Sequence, residues 1–441
     1  MEAEICALAP SDWQIRSVED VCKRVTSGGT PSRTRPDFYV DGSWPWVKTQ
    51  ELQDTWIDHT EEKITDEAVA NSSAKVLPPN TILLAMYGAT VGQLGILRSP
   101  MTCNQACCAM IVDSDKADFR YLYHHLRYSR TQLKSLATGA AQQNLSGALI
   151  KSLLYPFPPL AEQKAIAAVL GALDDKIELN RRMNATLEAM AMARALFQSW
   201  FVDFDPVRAK LDGRPPAALD PATATLFPEH LEDSPLGHIP KEWEVKTVGD
   251  IGDVICGKTP PTSVADYYGE DIPFITIPDM HGNVFGAATA RKLSHAGANS
   301  QANKTLPPGS LCVSCIATPG LVVITSEDSQ TNQQINSVVP HQKEETYFWY
   351  WVMTGLGAEI ASSGSGGSVL VNLSKGRFET LQVVKPPHAL IRAYHTTVRP
   401  LFEAILANTH QSRTLATLRD TLLPKLLSGE LGVAAANHQI T

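Results

Sequence analysis

The chain has no run of eighteen or more apolar residues, so no bilayer-spanning helix is expected. Its opening, MEAEICALAP, has acidic residues and no basic stretch ahead of an apolar core; no secretory leader is expected, and the cytoplasm is the expected location. Catalytic motifs are missing as well. There is no G-x-S-x-G elbow, no H-E-x-x-H, no dinucleotide-binding glycine fingerprint, and no NPPY or DPPY tetrad of the adenine methyltransferases. LPPN at Leu77 and LPPG at Leu306 do not substitute for that tetrad. A non-catalytic protein is therefore expected.

Cysteine is present but poorly placed for metal. Of the eight, Cys312 and Cys315 have C-x-x-C spacing, yet a zinc site takes four ligands and no second pair exists. Cys103, Cys107 and Cys108 lie together with no histidine near them in sequence, so no metal site is expected. The remaining totals describe a globular protein of two or three domains: 441 residues, 44% hydrophobic and 19% charged. A net charge of −8 argues against indiscriminate nucleic-acid binding, though not against a basic groove on an acidic body.

What the chain does have is an internal repeat. DWQIRSVEDV at Asp12 reads against EWEVKTVGDI at Glu242, with Trp13 matching Trp243 at an offset of 230 residues. VTSGGTP at Val25 matches VICGKTP at Val254, and LPPNTIL at Leu77 matches LPPGSLC at Leu306, both at offset 229. WPWV at Trp44, the Asn-Gln at Asn104, NLS at Asn144 and the double proline at Pro158 recur at offset 228. Anchors in the same order with so little drift indicate a tandem duplication.

Each copy has short β-like runs, then an aromatic-rich helical stretch, FRYLYHHLRY in the first and YFWYWVM in the second. After each double proline comes a long helix pattern. The first continues for about 40 residues, a rod of roughly 60 Å. Ile166, Val169, Leu173, Asn180, Met183, Leu187, Met190 and Phe197 form a heptad-like seam on it, and Leu401, Asn408, Leu415, Leu418 and Leu422 form one on the second. Asn180 matches Asn408, a pair of polar seam positions that would fix register or simply face water. Asp174 and Asp175 read as a solvated face, His124 and His125 as surface residues, and the proline-rich stretch between the copies as an extended connector.

One motif calls for a nucleotide. GDVICGKT, Gly252 to Thr259, fits the P-loop pattern G-x-x-x-x-G-K-[ST]. A working P-loop starts a helix at its lysine, whereas Pro260 and Pro261 forbid one here. The first copy has Gly29 where the lysine stands, so only a Gly-x-Thr-Pro turn is shared. No nucleotide is expected on this chain.

At these residues the chain resembles the specificity subunits of type I restriction-modification enzymes. FPPLAEQKAIAAVLGALDDKIELNRRMN is similar to their central conserved region, whose opening is matched by Pro159, Leu160, Glu162, Gln163 and Ile166. The connector and the closing LRDTLLPKLLSGEL resemble the family too, so the likeness spans essentially the whole chain. The second rod departs from it, with Ile391 and Arg392 where the Glu-Gln pair is expected.

The resemblance implies an α+β fold: two tandem β-rich target recognition domains joined by two long antiparallel helices, a pseudo-twofold duplication. Residues 1–158 and 241–386 would be the recognition domains, 159–202 and 387–430 the conserved helices, 203–240 the connector and 431–441 a tail. It also implies recognition of double-stranded DNA with a two-part target, a helical ruler registered by Asn180 and Asn408, and docking of two methyltransferase subunits through Glu162, Gln163 and Ile166. S-adenosylmethionine would arrive on those subunits, and ATP and magnesium on motor-nuclease subunits. The other reading of the same pattern is a structural adaptor with tandem protein-binding modules and no DNA contact.

Base readout takes polar side chains reaching a groove edge. Paired loops supply the DNA-binding candidates. In the first copy they are Ser27, Thr30, Lys48, Gln50, Tyr87, Thr90, Gln93, Gln142 and Gln143; in the second they are Lys258, Thr259, Thr276, Thr318 and Ser365.

Overall fold

A computed structural model describes residues 8–137, 144–189, 192–217, 219–316, 318–363 and 373–440. The chain divides into two compact units, Met1–Glu178 with Thr414–Thr441, and Leu179–Arg413.

Among the described residues, the first unit contains ten strands. They are β1 (Gln14–Ser17), β2 (Cys22–Ser27), β3 (Trp44–Val47), β4 (Thr55–Ile57) and β5 (Lys63–Ile64), followed by β6 (Ile82–Ala85), β7 (Leu94–Leu97), β8 (Thr102–Cys103), β9 (Cys107–Val112) and β10 (Leu154–Phe157). The main sheet has the order β2-β9-β6-β7-β4, and a smaller one β5-β3-β8. β6 and β7 are buried along their whole length, which is why ILLA and LGIL show no polar alternation. The helix Phe119–Tyr128 is capped by Asp118, whose carboxylate accepts from the backbone of Arg120 and Tyr121.

The second unit repeats most of this arrangement, with one extra short strand and a single bridge where β4 would stand. After the hairpin β11 (Leu231–Ser234) and β12 (Gly237–Pro240) come β13 (Glu244–Thr247), β14 (Gly252–Cys256), β15 (Tyr268–Gly269) and β16 (Ile272–Ile275). β17 (Lys292–Leu293), β18 (Leu311–Ser314), β19 (Val322–Ile324), β20 (Gln330–Thr331), β21 (Ile335–Pro340) and β22 (Gln382–Lys385) complete it. Its main sheet runs β14-β21-β18-β19. The registers coincide: β3 pairs parallel with β8 through Trp46 and Thr102, and β16 with β20 through Phe274 and Gln330, each pair 228 residues apart. A parallel bridge from Phe285 to Ile324 stands where β4 pairs Trp56 with Ile96.

The long helices are Leu160–Ala189 and His388–Leu427. Within the second unit, the Asn180 amide donates to Gln411 Oε1 (2.9 Å) and that of Asn408 to Asn184 Oδ1 (2.9 Å). Rising numbers on one helix meet falling numbers on the other, so the pair is antiparallel. Asn180 and Asn408 thus face the seam, but their side-chain amides bond other side chains, and Asn180 reaches Asn408 only at its backbone carbonyl (3.5 Å). Ile166, Val169, Leu173 and Asn180 are buried, whereas Met183 of the same expected seam is exposed.

Three further expectations are corrected. The stretch between the copies is not extended: it folds into the helices Asp205–Leu211 and Pro221–Thr225 and the β11–β12 hairpin, which bury Val207, Phe227 and Ile239. Val207 and Ile239 are single apolar anchors on short elements and Phe227 follows one, too few to show a period. His124 and His125 are buried, because the aromatic helix has apolar neighbours on several sides. Asp174 and Asp175 do not simply face water; they accept hydrogen bonds from Arg127 and Arg419, and from Arg120 and Trp56, respectively. Among the described residues, no helix is long and apolar enough to cross a membrane.

Candidate nucleic-acid interface

The Gly-x-Thr-Pro turn is built the same way twice. Gly28 N donates to Cys107 O and Gly29 N to Cys103 O; Gly257 N donates to Ile335 O and Lys258 N to Thr331 O. A Cβ on Gly28 would lie 2.2 Å from Cys103 O, and one on Gly257 would lie 2.1 Å from Asn332 O, so only glycine fits. The Thr259 hydroxyl donates to Gln333 Oε1 (2.8 Å), and Thr30 makes the same bond to Gln105. Tyr39 and Tyr268 donate to the carbonyls of Pro31 and Pro260 at 2.6 and 2.8 Å. Asn104 and Asn332 accept from the backbone two residues on, holding each Asn-Gln pair in place. Gln105, Gln333, Tyr39 and Tyr268 were missed as partners of the turn; the recurring Asn-Gln anchor was the signal for the glutamines. β14 leads into this turn with no helix after Lys258, so the P-loop pattern has no P-loop geometry.

Outward-facing chemistry differs between the copies. Ser27 is exposed and lines a cavity of about 200 Å³ with Tyr87, Thr26, Met86 and Lys151, which brings two of the candidate loops together. A Cβ on Gly29 of the first turn would strike the Ser73–Ala74 backbone, so no side chain fits there, while its counterpart Lys258 is exposed. Among the described residues, no carboxylate lies within ion-pair reach of Lys258.

Lys48 is different. Its ammonium bonds Glu61 (2.6 Å) and Glu62 (2.9 Å), which hold it above its usual range. Arg33, and then Lys48, hold Glu62 below the usual carboxylate range. An internally neutralised lysine has little to offer a phosphate, which leaves Gln50 as the exposed side chain of that turn. In the second copy Thr276 is buried, its hydroxyl donating to Asp279 (2.6 Å). Glu51 and Asp279, three residues on, cap the two turns alike. Thr90 and Gln93 are half-buried beside Tyr87, and Thr318 is exposed. Gln142, Gln143 and Ser365 lie outside the described residues. Arg291, exposed beside the Phe274 ring and lining a second cavity of about 440 Å³, was not anticipated.

At the helix openings, Gln163 is buried. Its amide oxygen accepts from Asp118 N (3.0 Å) and its nitrogen donates to Pro158 O (2.8 Å). Ile166 is in the core, and Glu162 is half-exposed. The backbone bonds to Pro159 O and Pro387 O place Leu390 and Ile391, not Ile391 and Arg392, at the positions of Glu162 and Gln163. A buried isoleucine thus stands where the buried glutamine stands.

No group of three or more potential metal ligands occurs among the described residues. Burial pushes the Cys312 thiol up to about 12 and that of Cys315 to about 11.

Residues 10–189 and 240–389 match the Type I restriction modification DNA specificity domain, one segment for each copy of the repeat. The specificity subunit of the type I restriction enzyme HindI from Haemophilus influenzae is 38% identical over 322 residues, covering 64% of this chain and 70% of that protein. That of MjaIX from Methanocaldococcus jannaschii is 30% identical over 444 residues, covering 96% of this chain and 94% of the relative. The crystal structure of a type I restriction-modification S subunit from M. genitalium shares the fold, with a TM-score of 0.53 at 17% identity over 94% of this chain and 96% of that one. Of the two readings the sequence left open, these matches favour DNA recognition over the adaptor. The chain belongs to the specificity subunits of type I restriction-modification systems, and is a non-catalytic subunit with two target recognition domains.

Proposed function

We propose that each recognition domain reads one half of a bipartite DNA sequence and that the paired long helices set the unread spacer between the halves. Residues 1–158 and 241–386 act as the readers, 159–202 and 387–430 as the helical ruler, 203–240 as the connector and 431–441 as a tail. Two methyltransferase subunits dock on the helices and carry S-adenosylmethionine. Motor-nuclease subunits add ATP and magnesium, and the assembly works in the cytoplasm. Glu162 is the residue of the Glu-Gln pair available to a partner; Gln163 and Ile166 hold the helix opening from inside.

One observation carries this reading. The same turn, with the same glycine, threonine and glutamine contacts, is built in both copies, while the side chains it presents differ. Two readers of different half-sites need a common frame and different polar surfaces. Ser27, Gln50, Tyr87, Thr90 and Gln93 supply that surface in the first, and Lys258 and Thr318 in the second.

Methylome sequencing of cells expressing the chain with its methyltransferase tests it. The expected result is two short sequence blocks separated by a constant number of unread base pairs. Gln93→Ala alters the first block alone, and inserting four residues near Asn180, about one helical turn, lengthens the spacer. A continuous target, or a spacer indifferent to the insertion, overturns the reading.

A further inference from the structure

At equivalent positions the two readers meet the long helices by different chemistry, although the second reader also has one ion pair to its helix, from Arg413 to Glu327 (3.1 Å). In the first unit, three carboxylates on the helix Leu160–Ala189 take the attachment. Asp174 accepts from Arg127 Nη1 of the aromatic helix (3.2 Å) and from Arg419 Nη1 of the other long helix (2.7 Å). Asp175 accepts from Arg120 Nη1 (3.0 Å) and from the indole of Trp56 (3.3 Å), and Glu178 from the Thr55 hydroxyl (3.2 Å). Gly171 lets this happen, since a Cβ there would meet Arg120 Nη1 at 2.3 Å. Asp174 stands apart because its carboxylate bonds the reader and the partner helix together.

In the second unit the position of Asp174, 228 residues on, is Phe402. Its ring stacks on Tyr347 of the second aromatic helix at 4.1 Å between centroids, with Tyr350, Trp351 and Phe285 around it. Phe285 replaces Trp56 there by the strand bridge described above. No ion pair to Phe402 is possible, and stacked rings slide over one another at little cost.

Charge-assisted bonds from guanidinium to carboxylate are directional and strengthened by burial; Arg419 is only 7% exposed at its side chain and Asp174 23%. Such bonds fix a position along the helix axis in a way that ring contact does not. We propose that Asp174 is a positioning residue that sets the height of the first reader along the helices, and with it the number of unread base pairs. This rests on the half-site and ruler reading above.

The test is methylome sequencing of cells expressing the chain with its methyltransferase, as wild type and as Asp174→Asn, Arg127→Gln and Asp174→Glu. In Asn and Gln variants both half-site sequences are retained, while methylation at sites one base pair longer or shorter rises at least about tenfold, the factor that about 1.4 kcal/mol of lost discrimination gives. Asp174→Glu, which keeps the carboxylate, restores part of the wild-type spacing. Where Asp174→Asn strips Arg127 of its carboxylate, leaves Arg419 with Asp420 alone and fails to fold, Arg127→Gln, which keeps the Asp174–Arg419 pair, gives the answer. An unchanged spacer in folded variants, or a relaxed first half-site at constant spacing, overturns the proposal. A wild-type target without two blocks would instead overturn the ruler reading and the proposal with it.

Discussion

His124 and His125 sit side by side in the first reader with 1% and 0% exposure, and the His124 Nδ1 and both His125 nitrogens lack a hydrogen-bond partner among the described residues. Burial lowers both to about 3 from the usual 6.5; Arg127, Arg419 and Arg120 add to this at His124, and His124 itself at His125. The unfolded chain therefore takes up protons below pH 6.5 that the folded chain refuses until about pH 3. Stability is full above 6.5 and falls as pH drops through that window, by up to about 1.4 kcal/mol per pH unit for each histidine. The second aromatic helix, Thr346–Gly355, has no histidine. In acid titration followed by near-ultraviolet circular dichroism, His125→Phe should move the unfolding midpoint to lower pH; an unmoved midpoint would place the acid trigger elsewhere. Gly28→Ala should cost the first reader about 1–3 kcal/mol, because the turn backbone has to shift. Thermal unfolding measures this, with Gly147→Ala, which meets nothing within 4 Å, as the neutral control.

The long helices were legible as elements because their apolar period lies within one stretch of chain. Their pairing was only half legible. The seam left Asn180 and Asn408 either to fix register or to face water; both turn toward the other helix. That Asn180 bonds Gln411 and Ser412, and Asn408 bonds Asn184, depends on an axial offset that neither helix encodes alone. Asn180→Ala removes the donor to both residues and should lower the stability of the chain by about 1–2 kcal/mol, read as a shift in thermal midpoint. No shift would mean that water replaces the amide fully. The connector was misread for the opposite reason: Val207 and Ile239 on short elements, and Phe227 just after one, are too few to show any period.

The molecule carries a net charge of −8, yet its family recognises DNA, so its cations have to be placed rather than numerous. Several of those in the first copy are already paired: Lys48 with Glu61 and Glu62, Arg33 with Glu62, Arg35 with Asp37 and Glu67. Lys258 of the second copy is exposed. If it contacts a phosphate, Lys258→Ala weakens binding of the complex to all duplexes about equally and reduces the slope of log affinity against log salt by about one. An unchanged slope in a filter-binding titration removes Lys258 from the interface.

By itself the sequence determined the duplication, the two long helices, the Gly-x-Thr-Pro turn and the family, because each is written in residues close together or in an offset that repeats. Tertiary structure decided which side chains remain available. Thr30 is held by Gln105, Lys48 by Glu61 and Glu62, Gln163 by Asp118 and Pro158, and Asp174 by Arg127 and Arg419. A polar group is satisfied by whatever the fold brings within about 3 Å. For most of these residues that partner lies tens or hundreds of positions away, where no local pattern reaches.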